Sequence, residues 1–174
     1  MGKNCLNKLT SNITVGCTIP LVGVKDIYLM HTGDVTFTYG PTGEILSAVF
    51  AGGAKSYKVE GYKQNIQVTA SLKTTDVSAR VDTSVTFKMP YFYSTRAFIN
   101  TVALGKFYVL VKFNDNDITV LGNTSPLECS SVDFDSNANA KMVTITLASP
   151  EGSAGNHAMI ISEVAANTII SKAV

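Results

Sequence analysis

Two long runs of alternating residues, joined by one short polar segment, constrain the fold of this chain more than any other feature. The apolar positions are Tyr62, Ile66, Val68, Ala70 and Leu72 in the first run and Ala79, Val81, Val85, Phe87 and Met89 in the second. Period-two alternation predicts half-buried β-strands with one dry face and one wet face. Each run holds about eleven residues and spans roughly 35 Å, about twice the length of an ordinary strand. The sequence therefore predicts one long β-hairpin over residues 55–89, with its tip at 73–78.

The opposite parity of both runs is polar. Its members are Lys63, Asn65, Gln67, Thr69, Ser71, Arg80, Asp82, Ser84 and Thr86. Near the start of the hairpin, the apolar parity changes from odd positions (Tyr57 and Val59) to even positions at Glu60-Gly61. A glycine at such a change of phase predicts a β-bulge.

The remainder of the chain alternates short apolar runs with turn signals, and 174 residues are enough to bury a full core. Strands are predicted at 25–30, 35–39, 44–50, 107–113, 118–121, 127–134, 142–147 and 157–163. One helix is predicted at 92–104, with Ser94 or Thr95 as its cap and Gly105 as its stop. The predicted fold class is all-β, a β-sandwich or barrel with one packed α-helix. We expect a single domain over 1–174, with an N-terminal arm (1–20) and a C-terminal tail (165–174).

Charge and hydropathy argue against several classes of function. The formal net charge is +1 and lysine and arginine are not clustered, so the chain lacks the basic footprint of a nucleic-acid or anionic-membrane binder. No run approaches the ~18 apolar residues of a membrane span. The N-terminus lacks the apolar region of a signal peptide, so we expect a chain made and used without secretion. Cys5, Cys17 and Cys129 are an odd number without metal-ligand spacing, which favours free thiols.

Catalytic and metal-binding patterns are missing from the sequence. His31 and His157 lie far apart, and no nucleophile-elbow or nucleotide-binding motif is present. The oxygen-rich stretch 114–117 could hold calcium, but it lacks the glycine and glutamate of an EF-hand, and asparagine and aspartate are also ordinary turn residues. We therefore predict no catalytic residue, no metal and no cofactor. The protein is not expected to be an enzyme.

The aromatic cluster Tyr91-Phe92-Tyr93 allows two interpretations. It could stack a sugar or a base, which fits a monomeric β-sandwich binding module, for example one for carbohydrate. Alternatively, it plugs the core at the junction between a strand and a helix, and this second interpretation is favoured.

Three segments resemble the phage tail tube protein family. They are NKLTSNITVGCTIPLVGVKDIYLMHTGDV near the start, GKFYVLVKFNDNDITVLGN, and PLECSSVDFDSNANAKMVTITLAS. Asp115-Asn116 matches the family's turn, Leu121-Gly122 its leucine-glycine pair, and residues 143–147 its last strand. Asp117 departs from the family, which usually has glycine there. Tail ring or adaptor proteins, and tube proteins of contractile injection machines, share the same pattern.

The resemblance implies a structural role rather than catalysis. Subunits of that family form closed rings, as hexamers or dodecamers, in which long hairpins pair edge to edge into one inner β-barrel. The polar parity listed above, from Lys63 to Thr86, is then expected to line the lumen, through which DNA passes without sequence-specific binding. The expected partners are other copies of the chain and neighbouring tail proteins, with no membrane. The expected location is the virion tail, after synthesis in the host cytoplasm.

The two chain ends carry apolar residues in segments too sparsely patterned to fold on their own. The N-terminal arm contains Leu6 and Leu9, and the tail contains Ile169 and Ile170. We predict that these four residues contact neighbouring subunits.

Overall fold

A computed structural model describes residues 23–61, 65–74, 79–134, 141–150 and 159–174. The fold is mostly β, with two helices and a large antiparallel sheet. The strands are β1 (Val24–His31), β2 (Val35–Tyr39), β3 (Ile45–Phe50), β4 (Tyr57–Glu60), β5 (Ile66–Thr74), β6 (Ala79–Pro90), β7 (Lys106–Phe113), β8 (Ile118–Leu121), β9 (Leu127–Phe134), β10 (Met142–Ala148) and β11 (Met159–Ile160). The helices are α1 (Arg96–Leu104) and α2 (Glu163–Ser171). Within the described ranges, no helix is long and apolar enough to cross a membrane.

The main sheet has nine strands in the order β11-β8-β7-β9-β10-β6-β5, and β1 pairs with both β4 and β7. The strands β2 and β3 form a separate two-stranded sheet. The turn between β2 and β3 is formed by Gly40-Pro41-Thr42-Gly43, in which the Gly43 N–H donates to the Gly40 carbonyl at 3.0 Å, and Gly43 takes a positive φ of 87° that favours glycine. Asn116, in the turn between β7 and β8, has a φ of 70°, a conformation that asparagine tolerates well.

The first hydrophobic core lies between the two halves of the main sheet. Its members include residues of β1, β5, β6, β7, β9 and β10: Ile27, Leu29, Ile66, Phe87, Val109, Leu127 and Ile145. Because β5 and β6 contribute to the same cluster as β1 and β7, which lie on the other side of β9 and β10 in the strand order, the sheet must curl around it. Ile99 and Val102 of α1 complete the same core.

A second core lies on the opposite face of β1 and β7. Tyr28 and Met30 of β1 and Leu110 of β7 pack there against the β2–β3 hairpin and against α2. Consequently β1 and β7 are covered on both faces, which explains their continuous runs of buried residues, a pattern more typical of strands in the middle layer of a protein.

The predicted helix at 92–104 is confirmed, with a short 3₁₀ turn (Tyr93–Thr95) before α1. The Thr95 hydroxyl accepts a hydrogen bond from the Phe92 N–H at 2.9 Å, so it caps that first turn. Gly105 follows the last helical residue, and a side chain at this position would collide with the ring of Phe107.

The C-terminal tail, expected to be too sparsely patterned to fold on its own, is mostly helical, because residues 163–171 form α2. The Ser162 hydroxyl accepts a hydrogen bond from the Ala165 N–H at 3.2 Å and caps the helix. Ile169 is 0% exposed inside its own subunit, and its carbonyl accepts a 2.7 Å hydrogen bond from the Ser56 hydroxyl. Ile169 therefore belongs to the subunit core and is not available to a neighbour, while Ile170 packs partly buried against the same core. Of the last predicted strand, residues 157 and 158 lie outside the described residues, Met159–Ile160 form β11, and Glu163 already begins α2.

The predicted hairpin over 55–89 is corrected at its start. Residues 57–60 form the separate strand β4, which pairs with β1, and only β5 and β6 make the hairpin. Gly61 is therefore not a bulge within one strand but the point at which the chain leaves β4. Its N–H donates to the Lys25 carbonyl at 2.7 Å, and a side chain there would collide with backbone carbonyls of β1. The N-terminal arm with Leu6 and Leu9, and Lys63 of the hairpin, lie outside the described residues.

Candidate functional site

The register of four neighbouring strands gathers the predicted polar residues on one face of the sheet. Gln67 of β5 lies beside Thr86 of β6, Thr86 beside Thr146 of β10, and Thr146 beside Ser131 of β9. We call this surface the polar face, and its members are Asn65, Gln67, Thr69, Ser71, Lys73, Arg80, Asp82, Ser84, Thr86, Lys88, Ser131, Asp133, Thr144 and Thr146. Alternation along β5 and β6 therefore placed every described lumen candidate on a common surface. That β9 and β10 also supply residues to this surface is known only from the strand pairing in the structure.

Hydroxyl groups bond to one another across the polar face. Thr69 Oγ1 lies 2.6 Å from Ser84 Oγ, and Thr86 Oγ1 lies 3.2 Å from Thr146 Oγ1. Such cross-strand pairs stabilise neighbouring strands and hold short side chains in place. The centre of the polar face is consequently small, uncharged and already hydrogen-bonded.

Charge on the polar face is concentrated near the hairpin tip. Asp82 accepts from both neighbouring cations, at 2.7 Å from Lys73 Nζ and 3.2 Å from Arg80 Nε. The hydrogen bond from Lys73, together with the charges of Arg80 and Lys73, lowers the pKa of the Asp82 carboxyl below its ordinary value. The cluster borders a depression of about 340 Å³ that Thr69, Ser71 and Ser84 also line.

The apolar face of the hairpin is buried along β6 and at the base of β5, and it is exposed towards the end of β5. Ile66, Val85 and Phe87 belong to the first core, and Val68 packs against it partly buried. Leu72, near the tip, is 57% exposed. The prediction that this whole parity faces the subunit's own core is therefore correct for β6 as far as Val81 and for the base of β5, and wrong for the end of β5, where Ala70 and Leu72 are exposed.

The outer edge of β5 has no partner among the described strands. The Lys88 N–H donates to the Asn65 carbonyl at 3.0 Å. Because backbone groups alternate between the two sides of an antiparallel strand, those of Ile66, Val68 and Leu72 point away from β6. The edge runs over nine residues without a proline, and its first charged residue is Lys73. Edges of this length are normally blunted by charge, proline or a covering segment, so this one is suited to pairing with another chain.

A second open edge belongs to β9. Only Leu127 and Glu128 at its start pair with β7, and no other described strand pairs with that side of 129–134. The four strands β9, β10, β6 and β5 thus form a sheet segment whose outer sides, along β5 and beyond Glu128 in β9, pair with no described strand, and helix α1 packs close to β9.

The aromatic cluster at 91–93 does not form one flat platform. Tyr91 packs partly buried against the first core, and its ring centroid lies 4.6 Å from that of Phe134. Tyr93 is 87% exposed, and Arg96 lies 5.2 Å from the centroid of Tyr91 and 5.7 Å from that of Tyr93. Tyr91 thus plugs the junction, as the favoured interpretation expects, while Phe92 and Tyr93 are exposed.

The remaining candidate residues occupy ordinary structural positions. Asp115 Oδ1 accepts from the Asp117 N–H at 3.2 Å within the β7–β8 turn, and His31 Nδ1 accepts from the Gly33 N–H at 3.3 Å. Cys129 is partly buried against the first core, and this burial raises the pKa of its thiol. Cys5, Cys17 and His157 lie outside the described residues. In the part of the chain that the structure describes, no three histidine, cysteine or carboxylate side chains come together.

We expect chelation to leave the thermal stability of the protein unchanged. The Asn114–Asp117 stretch is accounted for by turn geometry, since asparagine and aspartate stabilise turns through their own side chains. The measurement is the melting temperature with and without a chelator, followed by addition of excess calcium. A reproducible loss of several degrees that calcium reverses would show that the 114–117 turn is a calcium site.

The chain matches no protein-family model, no curated protein and no solved structure at a significant level.

Proposed function

We propose that this chain is a structural subunit of a phage tail tube, or of a tail ring or adaptor, and that its copies form closed rings around a conduit for DNA. The observation that carries the proposal is the nine-residue outer edge of β5, which pairs with no described strand and includes the exposed Leu72. The sequence resemblance to tail tube proteins supports the same conclusion. In this proposal the protein has no catalytic role, no metal and no cofactor.

The two open edges make ring formation physically reasonable. The edge of β5 is longer than those of β4 (four residues) and β11 (two residues), so it is the greater aggregation hazard. Pairing β5 of one subunit with β9 of the next is a head-to-tail contact, and head-to-tail contacts generate rings when the rotation closes. Closure of the sheet into a barrel removes both edges at once.

The polar face fits the inner surface of such a conduit. Its described members include three basic residues (Lys73, Arg80 and Lys88) and two acidic ones (Asp82 and Asp133), and its centre carries hydroxyl groups. Each lysine or arginine that contacts a phosphate strengthens binding to DNA. A nearly balanced, hydroxyl-rich lining therefore lets DNA pass without being retained. The partners are other copies of the chain, as a hexamer or dodecamer, neighbouring tail proteins and the passing DNA, in a virion tail assembled in the host cytoplasm.

Thiol labelling of the polar face tests this arrangement. Thr69→Cys places a thiol at the centre of the polar face, and Thr36→Cys places one on β2, on the outer layer of the subunit. Both variants are made with Cys5, Cys17 and Cys129 replaced by serine. In assembled particles, we expect position 69 to react with a small maleimide and to resist one attached to a polymer too large to enter the channel.

Labelling at position 36 is the control for labelling at position 69. Thr36→Cys is expected to react with both reagents in assembled particles, and both positions are expected to react with both reagents in dissociated subunits. Equal labelling of position 69 by the large and small reagents in intact assemblies would rule out the lumen assignment. A protein that stays at its 18.5 kDa monomer mass at high concentration, with no rings in negative-stain images, would contradict assembly itself.

A further inference from the structure

Near the hairpin tip, Lys73, Arg80 and Asp82 form a cluster of two positive charges and one negative charge. We propose that Asp82 sets the affinity of the polar face for phosphate groups, by occupying Lys73 and Arg80 and so preventing them from retaining nucleic acid. The biological meaning of this inference rests on the proposed conduit for DNA. The affinity of the polar face for phosphate, however, is a property of the single subunit and can be measured on it.

The geometry makes Asp82 the shared partner of two cations. Lys73 and Arg80 lie directly opposite each other across the hairpin, and Asp82 lies two residues after Arg80 on the same face. One carboxylate oxygen contacts Lys73 Nζ at 2.7 Å and the other contacts Arg80 Nε at 3.2 Å. Among the described residues, Asp82 is the only carboxylate in contact with either cation. The cluster therefore carries a net charge of +1 instead of +2.

The surroundings of the cluster are those of a phosphate subsite. Lysine, arginine and hydroxyl groups are the side chains that most often contact phosphate oxygens. Here Thr69, Ser71 and Ser84 line the same open depression, whose volume of about 340 Å³ accommodates one phosphate group. A phosphate entering it competes with the carboxylate of Asp82 for the same donors.

Asp82 remains an effective competitor at neutral pH. Its pKa is lowered by the Lys73 hydrogen bond and by the two neighbouring charges, so the carboxylate stays ionised. Removing the charge leaves Lys73 and Arg80 together on one small surface, with two N–H-bearing groups available to a phosphate.

Asp82→Asn tests the inference, and Asp133→Asn is its matched control. Asp133 lies on the same polar face, is exposed, and accepts from the Ser131 hydroxyl at 2.9 Å, but no ion pair with a cation is among its contacts in the described chain. Binding of a short fluorescent duplex DNA is measured by anisotropy at several salt concentrations. All proteins are compared at a concentration where light scattering gives the monomer mass.

We expect weak binding by the natural chain and about tenfold tighter binding by Asp82→Asn at low salt, with a salt slope steeper by about one unit. Asp133→Asn is expected to change the affinity less than threefold. Adding Lys73→Gln and Arg80→Gln to Asp82→Asn should abolish the gain. Inorganic polyphosphate, which lacks bases, is expected to rank the variants in the same order.

Two outcomes overturn the inference. In the first, Asp82→Asn binds DNA no more tightly than Asp133→Asn. In the second, the gain persists after Lys73 and Arg80 are replaced by glutamine. Circular dichroism and the melting temperature verify that each variant is folded. Because the measurement uses monomers, a failure here leaves the ring proposal intact, and a failure to form rings leaves this result intact.

Discussion

Replacing Val85 by aspartate is expected to prevent folding, whereas the same substitution at Leu72 is expected to leave the subunit folded and to prevent assembly. Both residues belong to the apolar parity of the hairpin. Val85 is 0% exposed and lies between Val68 on β5 and Leu147 on β10. An unpaired carboxylate there loses its hydration without a partner, at a cost of several kcal/mol, comparable to the ~5–15 kcal/mol stability of a whole domain.

Leu72 belongs to the same apolar face as Val85, but it lies near the end of the outer strand β5. Its side chain is more than half exposed in the isolated subunit, so a charge there keeps its hydration, and the expected change in stability is within about 0.5 kcal/mol. In a ring with paired hairpin edges, the same charge would be brought against the neighbouring subunit. The measurements are circular dichroism for folding and light scattering with negative-stain imaging for assembly. Normal rings formed by Leu72→Asp would show that the hairpin tip is not at an interface.

The second large effect concerns α2, where we compare alanine substitutions at one buried residue and one exposed residue of the same helix. Ile169→Ala is expected to reduce the free energy of unfolding by about 2–5 kcal/mol, because it leaves a cavity in the second core. Val164→Ala, on the same helix, removes a side chain that is 72% exposed and is expected to change stability by less than about 0.5 kcal/mol.

Urea unfolding monitored by circular dichroism measures both changes. If Ile169→Ala and Val164→Ala are equally mild, α2 does not stabilise the subunit. In that case, removal of residues 163–174 would also leave a folded chain. The structure leads us to expect the opposite, since α2 covers β3 and closes the second core.

The sequence predicted the polar face better than it predicted the pairing around it. Parity along a strand determines which side chains share a face, so Thr69 and Ser84 were placed together without knowledge of the fold. Parity contains no information on which strands are neighbours. The change of phase at Gly61 was therefore compatible with a bulge, although the actual cause is that β4 leaves the hairpin and pairs with β1.

Helix α2 was missed because its buried stripe is made of small residues. Ala165 and Ala166 are buried but contribute little to an apolar periodicity, and only Ile169 gives a strong signal. Alternation also could not separate Val85 from Leu72. Both are apolar residues on the same face, but Val85 lies on β6, between β5 and β10, whereas Leu72 lies on the outer strand β5.

The four-stranded segment β9-β10-β6-β5 contains an even number of strands, and every neighbouring pair within it is antiparallel. Its two outer strands therefore run in opposite directions. When β5 of one copy meets β9 of the next, the new pair is also antiparallel, whatever the number of copies. Strand polarity consequently leaves the copy number open, and the diameter grows with each added segment. In the proposed ring, the angle between successive subunits, set by contacts outside the barrel, would decide how wide the channel is.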